Sequence, residues 1–138
     1  MTYFFVNLVG ILAILLQAPN YVLTPHLPIL LQTSDTLLRF VVHQGGYLPT
    51  FLPLHTHSKL LVQICHGSPG VLVLVAVLRS LHREHSKDTW FEAEAMASKV
   101  VWKQGLLRKG LGVCHGLSGN AWGWLLLGRT STRYVRSP

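Results

Sequence analysis

One hexapeptide pattern, Cys-His-Gly-x-x-Gly, occurs twice in this chain, at residues 65–70 and at residues 114–119. The cysteines of the two copies are 49 residues apart. A spacing of this length is typical of a repeated helical hairpin, in which each repeat contributes an outer helix, a turn and an inner helix. The duplication therefore predicts an array of similar helical units with equivalent turns, and it constrains the fold more than any other feature of the sequence.

Two apolar segments follow the two copies and predict inner helices. Ser68 is a suitable N-cap and Pro69 suits the first helical position, so a helix should run from Pro69 to about His82. Residues 71–78 are apolar on every side, which is typical of a helix buried all round. Residues 120–127 have the same character and predict the next inner helix.

The segments between the inner helices predict amphipathic outer helices. Ser34 or Asp35 can cap a short helix that ends at Gly45-Gly46. Asp88 can cap a second helix that Gly105 ends. Five apolar residues share one face of this second helix, as a helix that lies on a core requires: Trp90, Ala93, Ala97, Val100 and Val101.

The apolar stretch 4–18 predicts a further buried helix, and a loop with Pro19, Pro25 and Pro28 should follow it. A signal peptide or membrane anchor is the alternative for this stretch. It has no preceding basic residues and is shorter than the roughly 20 residues that a membrane span needs. Flotation with liposomes distinguishes the two interpretations.

The two copies of the hexapeptide contain both cysteines of the chain, each directly before a histidine. Cys and His are preferred zinc ligands, and a duplicated Cys-His pair in glycine-bounded loops favours a metal or thiol site. Two buried core cysteines are the alternative, and a disulfide between them would need an oxidising setting. The low cysteine content indicates a reducing compartment, which predicts a cytoplasmic location.

Hydrophobic residues make up 49% of the chain and charged residues only 12%, so we expect large apolar surfaces that pack against a membrane or further protein. The net charge is +7, and most Lys and Arg residues lie at or after Arg79. An anion-binding face, a membrane-surface patch and a solvated face all fit this pattern. No nucleic-acid motif is present, so no nucleic acid is expected as a partner. We predict one domain over residues 1–128 and a disordered basic tail over residues 129–138.

Two longer stretches, LLVQICHGSPGV at 60–71 and VVWKQGLLRKGLGVCHGLSGNAW at 100–122, resemble the motifs of the lanthionine synthetase C-like (LanC-like) family, particularly its eukaryotic branch. The resemblance extends over about residues 8–127 and is weakest at the start. It implies an all-α fold, a partial α/α toroid made of about three helical hairpins of the family's seven-repeat barrel. The two Cys-His-Gly loops should then lie together at one end.

The resemblance also implies a Zn²⁺ ion held by Cys65, Cys114 and His115, with a fourth position left open. Family chemistry joins a thiol such as glutathione to a dehydroalanine or dehydrobutyrine residue of a peptide. His66 is the candidate proton donor for this addition, although it could instead only support the loop. Lys109 is the candidate partner for the carboxylate of the thiol, although it could instead be merely solvated.

The sequence departs from the family pattern in ways that bear on catalysis. It covers only part of the family's length, and Val6-Asn7 stands where the family has a His-Gly pair with a catalytic His. It also lacks the last repeat, which holds part of the family's glutathione site. A non-catalytic fragment or scaffold with a structural zinc is therefore an alternative. Eukaryotic members often act near the plasma membrane, so peripheral contact with a membrane surface is a further expectation.

Overall fold

The computed structural model describes residues 3–49, 51–52 and 60–134, with side chains described for residues 8–49 and 60–130. Helices account for almost all of its regular structure. They are α1 (Phe5–Leu15), α2 (Asn20–Leu23), α3 (Leu27–His43), α4 (Ser68–Leu81), α5 (Asp88–Gln104) and α6 (Leu117–Tyr134), with a short 3₁₀ helix at Arg83–His85. Two-residue strands, β1 (Tyr3–Phe4) and β2 (Phe51–Leu52), pair antiparallel with Tyr3 opposite Leu52.

The helices form two layers. Helix α4 lies at the centre and packs against α1 and α6, which complete an inner layer, while α3 and α5 pack against each other outside it. This alternation of inner and outer helices confirms the predicted all-α, partial α/α toroid.

The core sits around α4, as its apolar sequence predicts. Val71, Leu72, Leu74, Val75 and Leu78 are completely buried, and Pro69 lies in the first turn. The five residues predicted to form the inward face of α5, from Trp90 to Val101, are all buried as well. The α5 prediction holds because burial on the core imposes the helical period on the sequence. Helix α4 is not buried on every side as predicted, since Val73 and Val77 on one face are only partly buried.

The predicted start of the first outer helix is wrong. Helix α3 begins at Leu27, because Pro28 occupies its first turn, where a missing backbone N–H costs no hydrogen bond. Ser34 and Asp35 therefore lie buried inside the helix instead of capping it. The predicted end is confirmed: α3 stops at His43, and Gly45 and Gly46 follow with positive φ angles.

Three other helix boundaries also differ from the predictions. Ser68 is the first residue of α4 and Gly67 is at the N-cap position. The Ser68 hydroxyl does not cap the helix, because it is buried and donates to the Gly46 carbonyl oxygen at 2.8 Å. Asp88 similarly begins α5, with Lys87 at the N-cap position. Helix α6 runs on to Tyr134 instead of ending at Leu127, so residues 129–134 are helical. Residues 135–138 lie outside the described residues, and the domain division at residue 128 stays a prediction.

The first inner helix is buried on one side only. In α1, Val9, Leu12 and Ala13 contact the core, while Ile11 and Ile14 are exposed. Within the described part of the chain, no helix has the length and apolar character needed to cross a membrane. Val6 and Asn7 lie in α1, but their side chains fall outside the described set.

Candidate metal centre

The first Cys-His-Gly loop is a tight turn. Gln63 and His66 exchange two backbone hydrogen bonds, each 3.0 Å long, and Cys65 lies within the turn they close. Helix α4 begins three residues after Cys65, and α6 begins three residues after Cys114. Each cysteine therefore lies just before the N-terminal end of a helix.

The two loops share a close backbone contact that only glycine allows. Gly67 has φ +121°, and a Cβ there would lie 1.9 Å from the carbonyl oxygen of Leu61. A Cβ on Gly116 would likewise lie 2.5 Å from the carbonyl oxygen of Gly110. In each copy the contacted carbonyl belongs to the residue six positions earlier. The second glycine of each copy repeats this relation: Gly70 with Ile64, and Gly119 with Val113.

A buried asparagine joins the segments that lead into the two loops. Asn120 is only 2% exposed, and its amide nitrogen donates to the carbonyl oxygens of Val62 at 2.9 Å and of Gly105 at 2.8 Å. Val62 precedes the first loop and Gly105 precedes the second. Sequence reasoning missed this residue, although its position directly after the second copy was a usable signal.

The structure brings the three predicted ligands together. The ligand atoms of Cys65, Cys114 and His115 all lie within 4.8 Å of one another, the only such group of three or more His, Cys, Asp or Glu residues in the described part of the chain. Cys114 Sγ lies 3.6 Å from His115 Nε2. In a tetrahedral zinc site a sulfur and a nitrogen ligand are about 3.6 Å apart, given the usual metal–ligand distances. The donor set and its spacing therefore fit zinc.

Neither cysteine belongs to the core, so the core-cysteine interpretation is wrong. Cys65 is partly buried, Cys114 is exposed, and both thiols are free. The Cys65 thiol donates to the backbone carbonyl oxygen of Cys114 at 3.0 Å, a direct contact between the two loops. Solvent can therefore reach the group through Cys114 and His115, which are both exposed.

Burial raises the pKa of the Cys65 thiol from 9.0 to about 11, and the hydrogen bond and charge of Cys114 add to this effect. The ammonium of Lys109 acts in the opposite direction and favours the thiolate. Without metal, Cys65 is thus a thiol at neutral pH. Because zinc binds the thiolate, metal binding must release this proton.

The two other predicted site residues lie beside the group. The His66 ring stacks near the His115 ring, with 6.4 Å between centroids and 26° between planes. His66 Nδ1 is buried and has no hydrogen-bond partner among the described residues. Lys109 is exposed on the loop before Cys114 and acts on Cys65 through its charge.

Comparison with known proteins agrees with the motifs. The family model described as lanthionine synthetase C-like protein matches residues 8–133. The chain belongs to this family. Similar curated LanC-like proteins include glutathione S-transferase LANCL1 of Danio rerio, 43% identical over 83 residues, which are 60% of this chain and 19% of that protein. LanC-like protein GCL1 of Arabidopsis thaliana is 36% identical over 69 residues, 50% of this chain and 15% of that protein. The matched segment thus spans about a fifth or less of these eukaryotic relatives.

Proposed function

We propose that this LanC-like chain binds one Zn²⁺ through Cys65, Cys114 and His115 and adds a thiol, such as glutathione, to dehydroalanine or dehydrobutyrine residues of a peptide. The observation that carries the proposal is the convergence of these three ligand atoms within 4.8 Å. The name of the Danio rerio relative, a glutathione S-transferase, supports glutathione as the thiol.

Three protein ligands leave one position of a tetrahedral zinc site open, which is typical of catalytic zinc. A substrate thiol in this open position would have its pKa lowered by the zinc, which would supply a nucleophilic thiolate at neutral pH. Exposure of Cys114 and His115 leaves the approach to this position open to substrate.

His66 is the proposed proton donor. Addition of a thiolate to a dehydroamino acid forms a carbon–sulfur bond and leaves an enolate, which must take a proton at its α-carbon. The His66 ring lies beside the ring of His115, the proposed ligand, and this position supports His66 as the proton donor. We expect His66→Phe to lower kcat by about 100-fold, in the range of general-acid effects, and to leave bound zinc unchanged. Loss of zinc in this variant would instead indicate that His66 supports the loop.

Lys109 is the proposed partner of a carboxylate on the thiol, because it is exposed and its charge already reaches Cys65. Lys109→Ala should raise KM for glutathione and leave KM for cysteamine, a thiol without a carboxylate, unchanged. An equal effect on both thiols would contradict this role.

A structural zinc is the second candidate function. The three ligands come from two successive loops, so a metal would link the N-terminal ends of α4 and α6. The presence of Val6-Asn7 in place of the family's catalytic His also favours this alternative. In that case zinc stabilises the fold without thiol addition.

A thiol-addition assay on a dehydroalanine peptide separates the two functions. The catalytic proposal predicts a glutathione adduct, detected by mass spectrometry, that disappears in Cys65→Ala and Cys114→Ala. Zinc binding without any adduct would support the structural alternative. His43→Ala is the matched control, because His43 is an exposed histidine at the end of α3 and should change neither property.

For location, we propose the cytoplasm, because the candidate site needs reduced thiols. Peripheral contact with the plasma membrane is part of the same proposal, and flotation with anionic liposomes tests it. The exposed basic residues Lys99, Lys103 and Arg108 would supply the attraction.

A further inference from the structure

A groove of about 540 Å³ lies beside the candidate metal centre. All three inner helices line it. Ile11 and Ile14 come from α1, Val73 comes from α4 and Trp122 comes from α6. Cys65 is itself part of the lining, so the groove is continuous with the site where the thiol would react.

The lining of this groove is apolar. It contains no charged side chain, and Cys65 supplies its only polar side-chain atom apart from the indole N–H of Trp122. Its large side chains face the open space, since Ile14 is 71% exposed, Ile11 50% and Trp122 49%. Apolar surface of this kind next to a reactive centre is typical of a substrate-binding groove.

The chemistry of the two proposed substrates decides which of them fits. Glutathione carries two carboxylates and an ammonium group, and the groove offers no charged side chain to compensate their loss of water. The basic side of the centre is instead at Lys109, on the loop before Cys114. A bulky apolar side chain of the peptide, by contrast, loses nothing polar in the groove and buries its surface there.

We propose that this groove binds a large apolar side chain, such as Leu or Phe, next to the dehydroamino acid of the peptide substrate. The proposal rests on the proposed function, because it names the class of peptide that the same centre would take. The groove is a specificity-determining surface, with Ile14 and Trp122 as its main contacts.

Two peptides test this preference in the addition reaction. They carry the same dehydroalanine and differ only in the neighbouring residue, Leu in one and Ser in the other. We expect kcat/KM to be about tenfold higher for the Leu peptide, at the low end of discrimination by apolar pockets because the groove is open. Ile14→Ser and Trp122→Ala should each reduce this ratio toward one.

Matched controls are available on the same fold. Ile29→Ser changes another exposed isoleucine, on α3, and Trp102→Ala changes an exposed tryptophan of α5, both outside the groove. Both control variants should keep the tenfold preference. Thermal unfolding of all four variants identifies any that fail to fold.

A binding assay separates this proposal from the proposed function. Fluorescently labelled peptides with Ala in place of dehydroalanine cannot react, and fluorescence anisotropy measures their Kd. The Leu peptide should bind about tenfold more tightly than the Ser peptide, and Ile14→Ser should remove the difference. This preference without any thiol addition would overturn the proposed function and leave the groove assignment standing. Equal binding of the two peptides, or an unchanged preference in both groove variants, would overturn the groove assignment.

Discussion

Gly119→Ala tests whether close backbone packing builds the second Cys-His-Gly loop. Gly119 lies in the first turn of α6, and a Cβ there would be 1.9 Å from the carbonyl oxygen of Val113 and 2.8 Å from Ile64 Cγ2. The first distance is about 1.5 Å shorter than the 3.4 Å at which ordinary contacts begin, and backbone cannot rotate away as a side chain can.

Relief of this clash must displace the segment just before Cys114. Overpacking of a well-packed site typically costs 1–3 kcal/mol, and a clash with backbone lies at the upper end, so we expect a loss of about 3 kcal/mol. For a chain of this size that corresponds to a decrease in Tm of roughly 10 °C. Zinc affinity should fall as well, because Cys114 moves with the displaced segment.

Gly128→Ala is the control on the same helix. Gly128 is exposed, and a Cβ there would have no atom within 4 Å, so alanine should stabilise the helix by about 0.5–1 kcal/mol. Urea unfolding followed by far-ultraviolet circular dichroism, with and without a zinc chelator, measures the stability of both variants. A Gly119→Ala variant as stable as the wild type, beside a stabilised Gly128→Ala, would refute the packing argument.

Two further changes test the connection between the loops and the chemistry of the centre. Asn120→Ala removes two buried hydrogen bonds and leaves the carbonyl oxygens of Val62 and Gly105 without this donor. Urea unfolding should therefore show a decrease of about 2–4 kcal/mol in the free energy of unfolding, and a decrease below about 0.5 kcal/mol would contradict the role of Asn120. Because the pKa of its thiol is about 11, Cys65 must lose a proton to bind zinc. The zinc affinity should therefore rise about tenfold per pH unit between pH 6 and pH 8 from this group alone, as measured by competition with a chelating dye. Cys65→Ala should bind zinc too weakly to compete with the dye at any pH in this range, and wild-type affinity in this variant would contradict the assignment of Cys65 as a ligand. In the metal-free protein the same raised pKa favours the neutral thiol, so its contribution to stability is complete below pH 9 and is lost as the pH rises toward 11.

The sequence predicted the helices whose burial leaves a direct pattern. The helix over the apolar run at 71–78 and the buried five-residue face of α5 follow from contact with one core and are confirmed, although Val73 and Val77 are only partly buried. Proline was harder to interpret, because Pro28 can either end a helix or occupy its first turn. Ser68 was misread for a related reason: its hydroxyl bonds to the Gly46 carbonyl of a distant segment, a contact that local sequence does not encode.

The grouping of Cys65, Cys114 and His115 was predictable from the resemblance to the LanC-like family, whose motifs imply these three residues as ligands. The parts that position the ligands were not, since they depend on contacts between segments. Asn120 bridges two carbonyls that are 58 and 15 residues away in the chain. The apolar groove likewise requires α1 and α6 to lie on either side of α4, which becomes visible only in the assembled fold.

Zinc content is the direct test of whether Cys65, Cys114 and His115 hold a metal ion. Protein purified under reducing conditions is analysed for metal by inductively coupled plasma mass spectrometry, together with Cys65→Ala, Cys114→Ala and the His43→Ala control. We expect about one zinc per chain in the wild type and the control, and loss of this zinc in both cysteine variants. Sub-stoichiometric metal that is the same in all four proteins would show that Cys65, Cys114 and His115 do not form a zinc site.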